Sequence, residues 1–253
     1  MPNSPMPIDH LTTLPMYDWP EVRSATDEFW AGLARHLGVQ GPLDRGGDFT
    51  GSWRNPGLLF SQTCGYPFTH DFKGILKYVA TPAYGVDGCG PGTYCSFIFT
   101  REKLEADEFH RLKPAINSWD SMSGMLALRL VGGDLTHALV TGAHLASLTA
   151  VQDKRADICA IDSVCVAMAK RYRPAVLEGL VEVARSPQVP ALPYVTRAGD
   201  VQNLRAGLKA AFADPSFAAA REHLFLKDVT ILPGDAYDII LQREAALERK
   251  DFS

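Results

Sequence analysis

The chain has 253 residues, of which 46% are hydrophobic and 21% charged, and its formal net charge is -4 at pH 7. This composition is typical of a soluble globular protein with one large domain or two lobes, and it excludes a disordered or fibrous chain. The negative net charge and the lack of a Lys/Arg-rich cluster argue against nucleic acid as a partner.

The N-terminus and the cysteines bear on the cellular compartment. Residues 1–7 contain neither the basic nor the apolar region of a signal peptide, and no stretch approaches the ~18 apolar residues of a membrane span. We therefore expect a cytoplasmic chain as given, or a periplasmic one if an export segment is missing, without direct membrane insertion. The five cysteines lack CxxC spacing, which predicts free thiols. Neither a metal nor a cofactor is expected, since His137 and His144 lack a third ligand.

The first hundred residues predict several strands around one amphipathic helix. The helix begins after Asp18, a candidate N-cap, and ends at Gly38. Residues 40–57 are predicted as loop because glycine and proline recur there. The strand predicted around residues 58–65 is apolar at first and polar at its end, which is typical of a site at the edge of a sheet. The predicted strands are 11–17, 58–65, 74–80 and 94–100.

Three strand–turn–helix units follow, and their strands are predicted at 112–116, 138–141 and 156–161, with helices at 121–130, 145–152 and 164–172. This repeat predicts a parallel, doubly wound sheet with right-handed crossovers. The turns of such a sheet lie on one edge, where ligands bind. We therefore expect the polar turn residues to share a rim: Ser121, Ser123, Thr141, His144, Asp162 and Ser163. Ser121 has an alternative interpretation as an ordinary N-cap.

Two irregular stretches, near residues 84–93 and 187–195, bracket these units. They predict an inserted lobe over residues 91–193, while residues 1–90 and 194–253 together form the other lobe. Within residues 194–253, helices are predicted at 201–212, 215–224 and 236–249. Two lobes joined by two crossings indicate a hinged cleft that closes on a ligand.

The region from Leu58 to Thr196 resembles the phosphate/phosphite/phosphonate substrate-binding proteins of ABC transporters. The resemblance rests on the Ser-x-Ser-Gly sequence at 121–124, on TGAH at 141–144 with LTAV at 148–151, on RADICAID at 155–162 and on LPYV at 192–195. It implies an α/β, two-lobed fold of the type II periplasmic-binding-protein (Venus-flytrap) class, each lobe a doubly wound sheet with flanking helices. Met122 stands where the family usually has a hydroxyl residue, and Ala143 where serine is common.

The resemblance implies a non-catalytic protein that binds a small phosphonate- or phosphate-like anion. An ABC permease with its ATPase is the candidate protein partner. The anion is expected to bind at the start of the helix near residue 121, together with side chains from the other lobe. The expected contacts from the inserted lobe are Ser121, Met122, Ser123, His144 and Asp162, and those from the other lobe are Tyr17, Gln62 and Thr63.

Other functions stay open at this stage. A cytoplasmic enzyme on the same scaffold needs a paired acid and base, for which His144 and Asp162 are the candidates, while a ligand-sensing subunit would pass lobe closure to a partner protein. Asp162 either accepts a hydrogen bond from a protonated ligand oxygen or an amino group, or caps the next helix. Beside an anion, His144 is expected to hold its proton more tightly, so that binding is best below neutral pH.

Overall fold

The computed structural model describes residues 10–251 as a set of short strands and helices. The strands of this range are β1 (Leu11–Thr12), β2 (Leu58–Gln62), β3 (Lys77–Tyr84), β4 (Cys89–Gly90), β5 (Thr93–Tyr94), β6 (Ser96–Thr100), β7 (Pro114–Ile116), β8 (Leu139–Val140), β9 (Ile158–Asp162), β10 (Val181–Arg185), β11 (Val189–Pro190), β12 (Tyr194–Thr196) and β13 (Leu226–Thr230).

The helices of the same range are mostly short. The α-helices are α1 (Arg23–Leu37), α2 (Phe49–Arg54), α3 (Gly65–Thr69), α4 (Ala127–Leu130), α5 (His144–Gln152), α6 (Ser163–Tyr172), α7 (Val201–Ala213), α8 (Ala218–His223) and α9 (Asp238–Asp251). A π-helical turn, Met122–Leu126, leads directly into α4, and 3-10 turns lie at Pro20–Val22, Ala106–Arg111, Pro174–Leu177 and Pro215–Phe217.

The second sheet has the strand order β10-β6-β9-β7-β8 and holds the three predicted strand–turn–helix units. Strand β7 runs parallel to both β8 and β9, as the repeat predicts. Strands β6 and β10 are antiparallel additions: β6 pairs with β9, and β10 with β6. The sheet is therefore mixed, with a parallel centre whose carboxyl ends all face one edge.

The first sheet has the order β1-β2-β12-β3-β13, so both ends of the chain contribute to it. Strand β12 lies between β2 and β3 and is antiparallel to both. The two sheets thus consist of the two sets of residues that the predicted lobes contain. The lobe boundaries themselves stay a prediction.

The two predicted crossings meet in a small third sheet of order β11-β5-β4. Val189 of β11 pairs with Tyr94 of β5, and Cys89 of β4 pairs with the same residue from the other side. The connections between the lobes are therefore hydrogen-bonded to each other.

One continuous apolar cluster links the two large sheets. It includes Leu33 of α1 and Phe60 of β2 on the first sheet, and Ile98 of β6 and Ile158 of β9 on the second. Helix α1 ends where predicted, because Gly38 adopts φ 68° and donates its N–H to the Ala34 and Arg35 carbonyls. In the described range, no helix is both long and apolar enough to span a membrane.

Several sequence-based predictions were wrong. Residues 40–57 contain the short helix α2, and strands β10 and β13 lie in segments where no strand was predicted. Asp18 does not cap a helix; its carboxylate pairs with Arg45, with an Nε–Oδ2 distance of 2.5 Å. The helix predicted at 121–130 begins as a π-turn. The predicted strand 11–17 is limited to β1, and the following residues turn toward the second sheet.

Candidate functional site

A cavity of about 440 Å³ lies between the first and second sheets. On the second sheet, the turns after β7, β8 and β9 line it, so the strand-to-helix turns converge as the topology requires. On the first sheet, the lining comes from the segment after β1, from α2 and from the turn after β2. The lining residues are Pro15, Met16, Tyr17, Trp19, Phe49, Thr50, Trp53, Cys64, Pro67, Asn117, Ser118, Asp120, Ser121, Ser123, Gly142, Ala143, His144, Leu145, Asp162, Cys165 and Leu192.

Ser121 caps the π-turn at the start of the helix. Its Oγ accepts a hydrogen bond from the Gly124 N–H at 2.9 Å, so the N-cap interpretation is confirmed. A π-turn leaves more N–H groups without an intrahelical acceptor than an α-turn does, because its hydrogen bonds reach one residue further. The Met122 N–H is directed at Cys64 Sγ, 3.4 Å away on the first sheet.

Gly124 lets the Asn117 side chain pack against the π-turn. A Cβ atom at position 124 would collide with Asn117 Oδ1, which lies directly above the glycine. This oxygen is buried and has no hydrogen-bond partner among the described residues. The close approach fixes the Asn117 amide beside the cavity.

Ser123 and His144 form a hydrogen-bonded pair on the cavity wall, with an Oγ–Nε2 distance of 2.9 Å. Burial lowers the pKa of the His144 imidazole to about 4, against a smaller raising effect of the Ala160 carbonyl. The ring is therefore neutral at physiological pH. Desolvation of the ring outweighs the stabilisation of its charged form within the protein, and tighter proton binding beside an anion stays a prediction.

Asp162 connects the two sheets. Its Oδ1 accepts hydrogen bonds from the Val164 and Cys165 N–H groups at 2.7 and 3.2 Å, which confirms that it caps the helix after β9. Its Oδ2 accepts a hydrogen bond from the Tyr17 hydroxyl at 2.7 Å. Burial raises the pKa of Asp162 to about 6, although these hydrogen bonds act in the opposite direction. Burial also raises the pKa of Tyr17 well above its usual value, so this phenol remains a donor.

Three of the predicted contacts lie outside the cavity lining. Gln62 is buried, and its Nε2 donates to the Tyr84 hydroxyl at 3.0 Å and to the Leu192 carbonyl at 3.1 Å. Thr63 is fully buried and its hydroxyl is directed at the Cys64 carbonyl. The Met122 side chain belongs to the apolar core. These three side chains therefore lie behind the cavity wall, and their role as ligand contacts stays a prediction.

The aromatic part of the wall was not predicted from the sequence. Phe49 and Trp53 come from helix α2, within a segment predicted as loop, and Trp19 follows the cavity residue Tyr17 by two positions. The sequence feature that could have indicated α2 was its N-cap residue, Asp48, whose side chain accepts a hydrogen bond from the Gly51 N–H. Six residues are too few for a helical apolar repeat to be recognised.

The charge of the lining is unusual for an anion site. No lysine or arginine is among the lining residues within the described range, and the titratable side chains there include Asp120 and Asp162. Burial raises the pKa of both cavity thiols, Cys64 and Cys165, which keeps them protonated. No cluster of metal-binding side chains occurs among residues 10–251. Apart from its two acidic side chains, the lining therefore offers a ligand uncharged hydrogen-bonding groups.

Solved structures share this fold at low sequence identity. A binding-protein component of an ABC phosphonate transporter from Pseudomonas aeruginosa superposes with a TM-score of 0.77 at 16% identity, covering 96% of this chain and 88% of that one. PhnD1 from Prochlorococcus marinus in complex with methylphosphonate superposes with a TM-score of 0.73 at 14% sequence identity, covering 94% of this chain and 98% of that one. A protein from Xanthomonas citri bound to ATP superposes with a TM-score of 0.67 at 16% sequence identity, covering 95% of this chain and 97% of that one. These similarities confirm the two-lobed binding-protein fold.

The family is established by sequence. No curated protein sequence matches the chain. A sequence profile described as "ABC transporter, phosphonate, periplasmic substrate-binding protein" matches residues 74–232, which is more than half of the 253 residues. Members of this family bind a solute and do not catalyse a reaction, so the prediction of a non-catalytic binding protein is confirmed and the enzyme and sensor alternatives are not favoured. The chain belongs to the family of periplasmic substrate-binding proteins of phosphonate ABC transporters.

Proposed function

We propose that this chain binds its phosphonate- or phosphate-like ligand in the cavity between the sheets, with Ser123, His144 and Tyr17 as polar contacts. The observation that carries the proposal is the convergence of these side chains, from both sheets, on one cavity of about 440 Å³. The methylphosphonate complex of the Prochlorococcus marinus protein supports this class of ligand.

His144 controls which way the Ser123 hydroxyl points. If the neutral ring carries its proton on Nε2, it donates to Ser123 Oγ across 2.9 Å, and the Ser123 O–H is free to donate to a ligand oxygen. This assignment makes Nδ1 the acceptor, since Nδ1 has no hydrogen-bond partner of normal geometry among the described residues; the Ala160 backbone raises the pKa of the ring without such a bond. Ser123 is thus a neutral donor aimed at the anion.

Asp162 and Ser121 hold the donors in place. Asp162 anchors the Tyr17 phenol at 2.7 Å, and Ser121 caps the π-turn that carries Ser123. We assign these two residues to positioning, since their polar atoms are already bonded within the protein. Asn117 is an additional candidate contact, because its amide lies against the same turn.

The cellular compartment and the protein partners that we propose are those of the family. We propose that the chain acts in the periplasm and delivers its ligand to an ABC permease with its ATPase. The family description, a periplasmic substrate-binding protein of an ABC transporter, supports this assignment.

Calorimetric titration with methylphosphonate tests the site. Ser123→Ala should weaken binding about tenfold or more, because a hydrogen bond to a charged group contributes about 1.5–3 kcal/mol. Ser24→Ala is the matched control: Ser24 lies exposed on α1, with its hydroxyl 3.3 Å from Glu28. Equal affinity of Ser123→Ala and the parent would reject the assigned site, and failure of the parent to bind any phosphonate would reject the ligand class.

A further inference from the structure

We infer that the natural ligand carries a flat apolar group beside its anion, and that Phe49 of α2 selects for this group. The inference deepens the proposed function and rests on it. It concerns the part of the cavity that the anion does not fill.

The cavity is too large for a bare head group. At about 30 Å³ for each heavy atom, the volume of one water in the liquid, the five heavy atoms of methylphosphonate fill roughly 150 Å³. The cavity measures about 440 Å³. More than half of the space is therefore left for a substituent.

The lining is divided into two chemically different regions. The turns of the second sheet bring hydroxyl, amide, imidazole and carboxyl groups, whereas the first sheet brings mostly rings and apolar side chains, with the hydroxyls of Tyr17 and Thr50 as its polar members. A substituent that extends from an anion at Ser123 toward the first sheet thus enters an apolar region. The apolar residues of that region are Pro15, Met16, Trp19, Phe49, Trp53 and Pro67.

The rings of this region are held in fixed positions. Trp53 donates its Nε1–H to Ser61 Oγ at 3.1 Å and packs edge-on against Phe72, with ring centroids 5.4 Å apart. Trp19 is covered on one side by the Arg173 guanidinium, 5.4 Å from the ring centroid. Rigid aromatic walls favour a flat partner over a flexible chain, since stacked and edge-on ring contacts have defined geometry.

Phe49 is the exposed member of the set. Its side chain is 45% exposed although its ring centroid lies only 6.5 Å from that of Trp53. A single exposed apolar side chain is common on protein surfaces, but Phe49 is continuous with the apolar lining of the cavity, and contiguous apolar surface of this kind marks binding grooves. A ring bound against Trp53 would cover Phe49, and this burial is the source of the expected selectivity.

The test compares phosphonates by calorimetric titration of the full chain. Phenylphosphonate should bind at least tenfold more tightly than methylphosphonate, and n-hexylphosphonate should bind more weakly than phenylphosphonate. Phe49→Ala should reduce this preference about tenfold and change methylphosphonate affinity less than twofold. Ile231→Ala, which removes another exposed apolar side chain far from the cavity (57% exposed), is the matched control.

The outcomes separate the inference from the proposed function. If methylphosphonate binds as tightly as phenylphosphonate, or if Phe49→Ala weakens both equally, the inference is wrong while the proposed function stands. If benzoate binds as tightly as phenylphosphonate, the apolar region is supported and the phosphonate assignment fails. If none of the phosphonates binds, both are rejected.

Discussion

At the scale of single residues, His144 and Asp162 are two buried titratable groups whose pKa values shift in opposite senses. The native pKa of His144 is about 4, below its ordinary 6.5, and that of Asp162 is about 6, above its ordinary 3.8. The native protein therefore holds the Asp162 proton more firmly than the unfolded chain does, and the His144 proton less firmly. Each pKa shift corresponds to a change of about 3 kcal/mol in the free energy of unfolding across the pH range between the two pKa values.

These shifts predict opposite changes in the pH dependence of stability. As pH rises from about 4 to about 6, the contribution of Asp162 is lost and that of His144 is gained, so the two nearly cancel in the parent. Relative to the parent, Asp162→Asn should gain stability with rising pH over this window, and His144→Gln should lose it. Urea unfolding at several pH values between 4 and 7 measures both differences; curves parallel to the parent would contradict the prediction.

Gly124 shows how a single missing side chain shapes the site. Gly124→Ala should destabilise the protein by about 1–3 kcal/mol, because the added methyl group overlaps Asn117 Oδ1 in a packed region. The displaced amide should also weaken phosphonate binding. Chemical denaturation gives the first quantity and calorimetry the second.

Gly234→Ala is the control for this substitution. No atom lies within 4 Å of a Cβ built at position 234, so this change should leave stability nearly unaltered. If both variants lose the same stability, the collision with Asn117 is not the cause.

At the scale of elements, the alternating strand–helix units were predictable because long apolar runs alternate with polar turns. Strands β7, β8 and β9 and helices α5 and α6 follow directly from this pattern. The pattern also determines which turns meet, since parallel strands end on one edge. The four expected polar contacts on this sheet consequently line the cavity: Ser121, Ser123, His144 and Asp162.

The first sheet was harder to predict, for a physical reason. Both faces of β2 are covered, so each of its residues is buried, and polarity cannot indicate which side chain is directed at the cavity. Gln62 turns to Tyr84 and the Leu192 carbonyl instead. The latter group is contributed by a segment 130 residues later in the chain. Contacts of this kind depend on tertiary packing that no local pattern contains.

At the scale of the whole molecule, polar and apolar contacts join the two large sheets. The Tyr17–Asp162 hydrogen bond of 2.7 Å lies at the cavity. A second link joins Glu21, just before α1, to Arg173 at the end of α6, with an Nε–Oε1 distance of 2.6 Å. The apolar cluster that runs through both sheets reinforces these two polar contacts.

Tyr17→Phe should loosen this arrangement. The Asp162 carboxylate would lose its phenol donor, and a buried group left without its partner costs about 1–3 kcal/mol. Small-angle X-ray scattering should give a larger radius of gyration for the unliganded variant, and the pKa of Asp162 should rise above its present value of about 6. Tyr172→Phe, with a hydroxyl 3.5 Å from the His223 carbonyl at the surface, provides the comparison. An unchanged radius in Tyr17→Phe would contradict the proposed link between the lobes.

The lack of lysine and arginine in the described lining of the cavity has a consequence for the salt dependence of binding. Dissolved salt screens attraction between formal charges, but it has little effect on short hydrogen bonds in a confined site. A site without lysine or arginine in its lining gives up long-range attraction for its anion, and the net charge of -4 supplies none. We therefore expect that added salt does not weaken phosphonate binding at the proposed site, because the formal charges that salt would screen there, the acidic lining residues and the net negative charge, repel the anion.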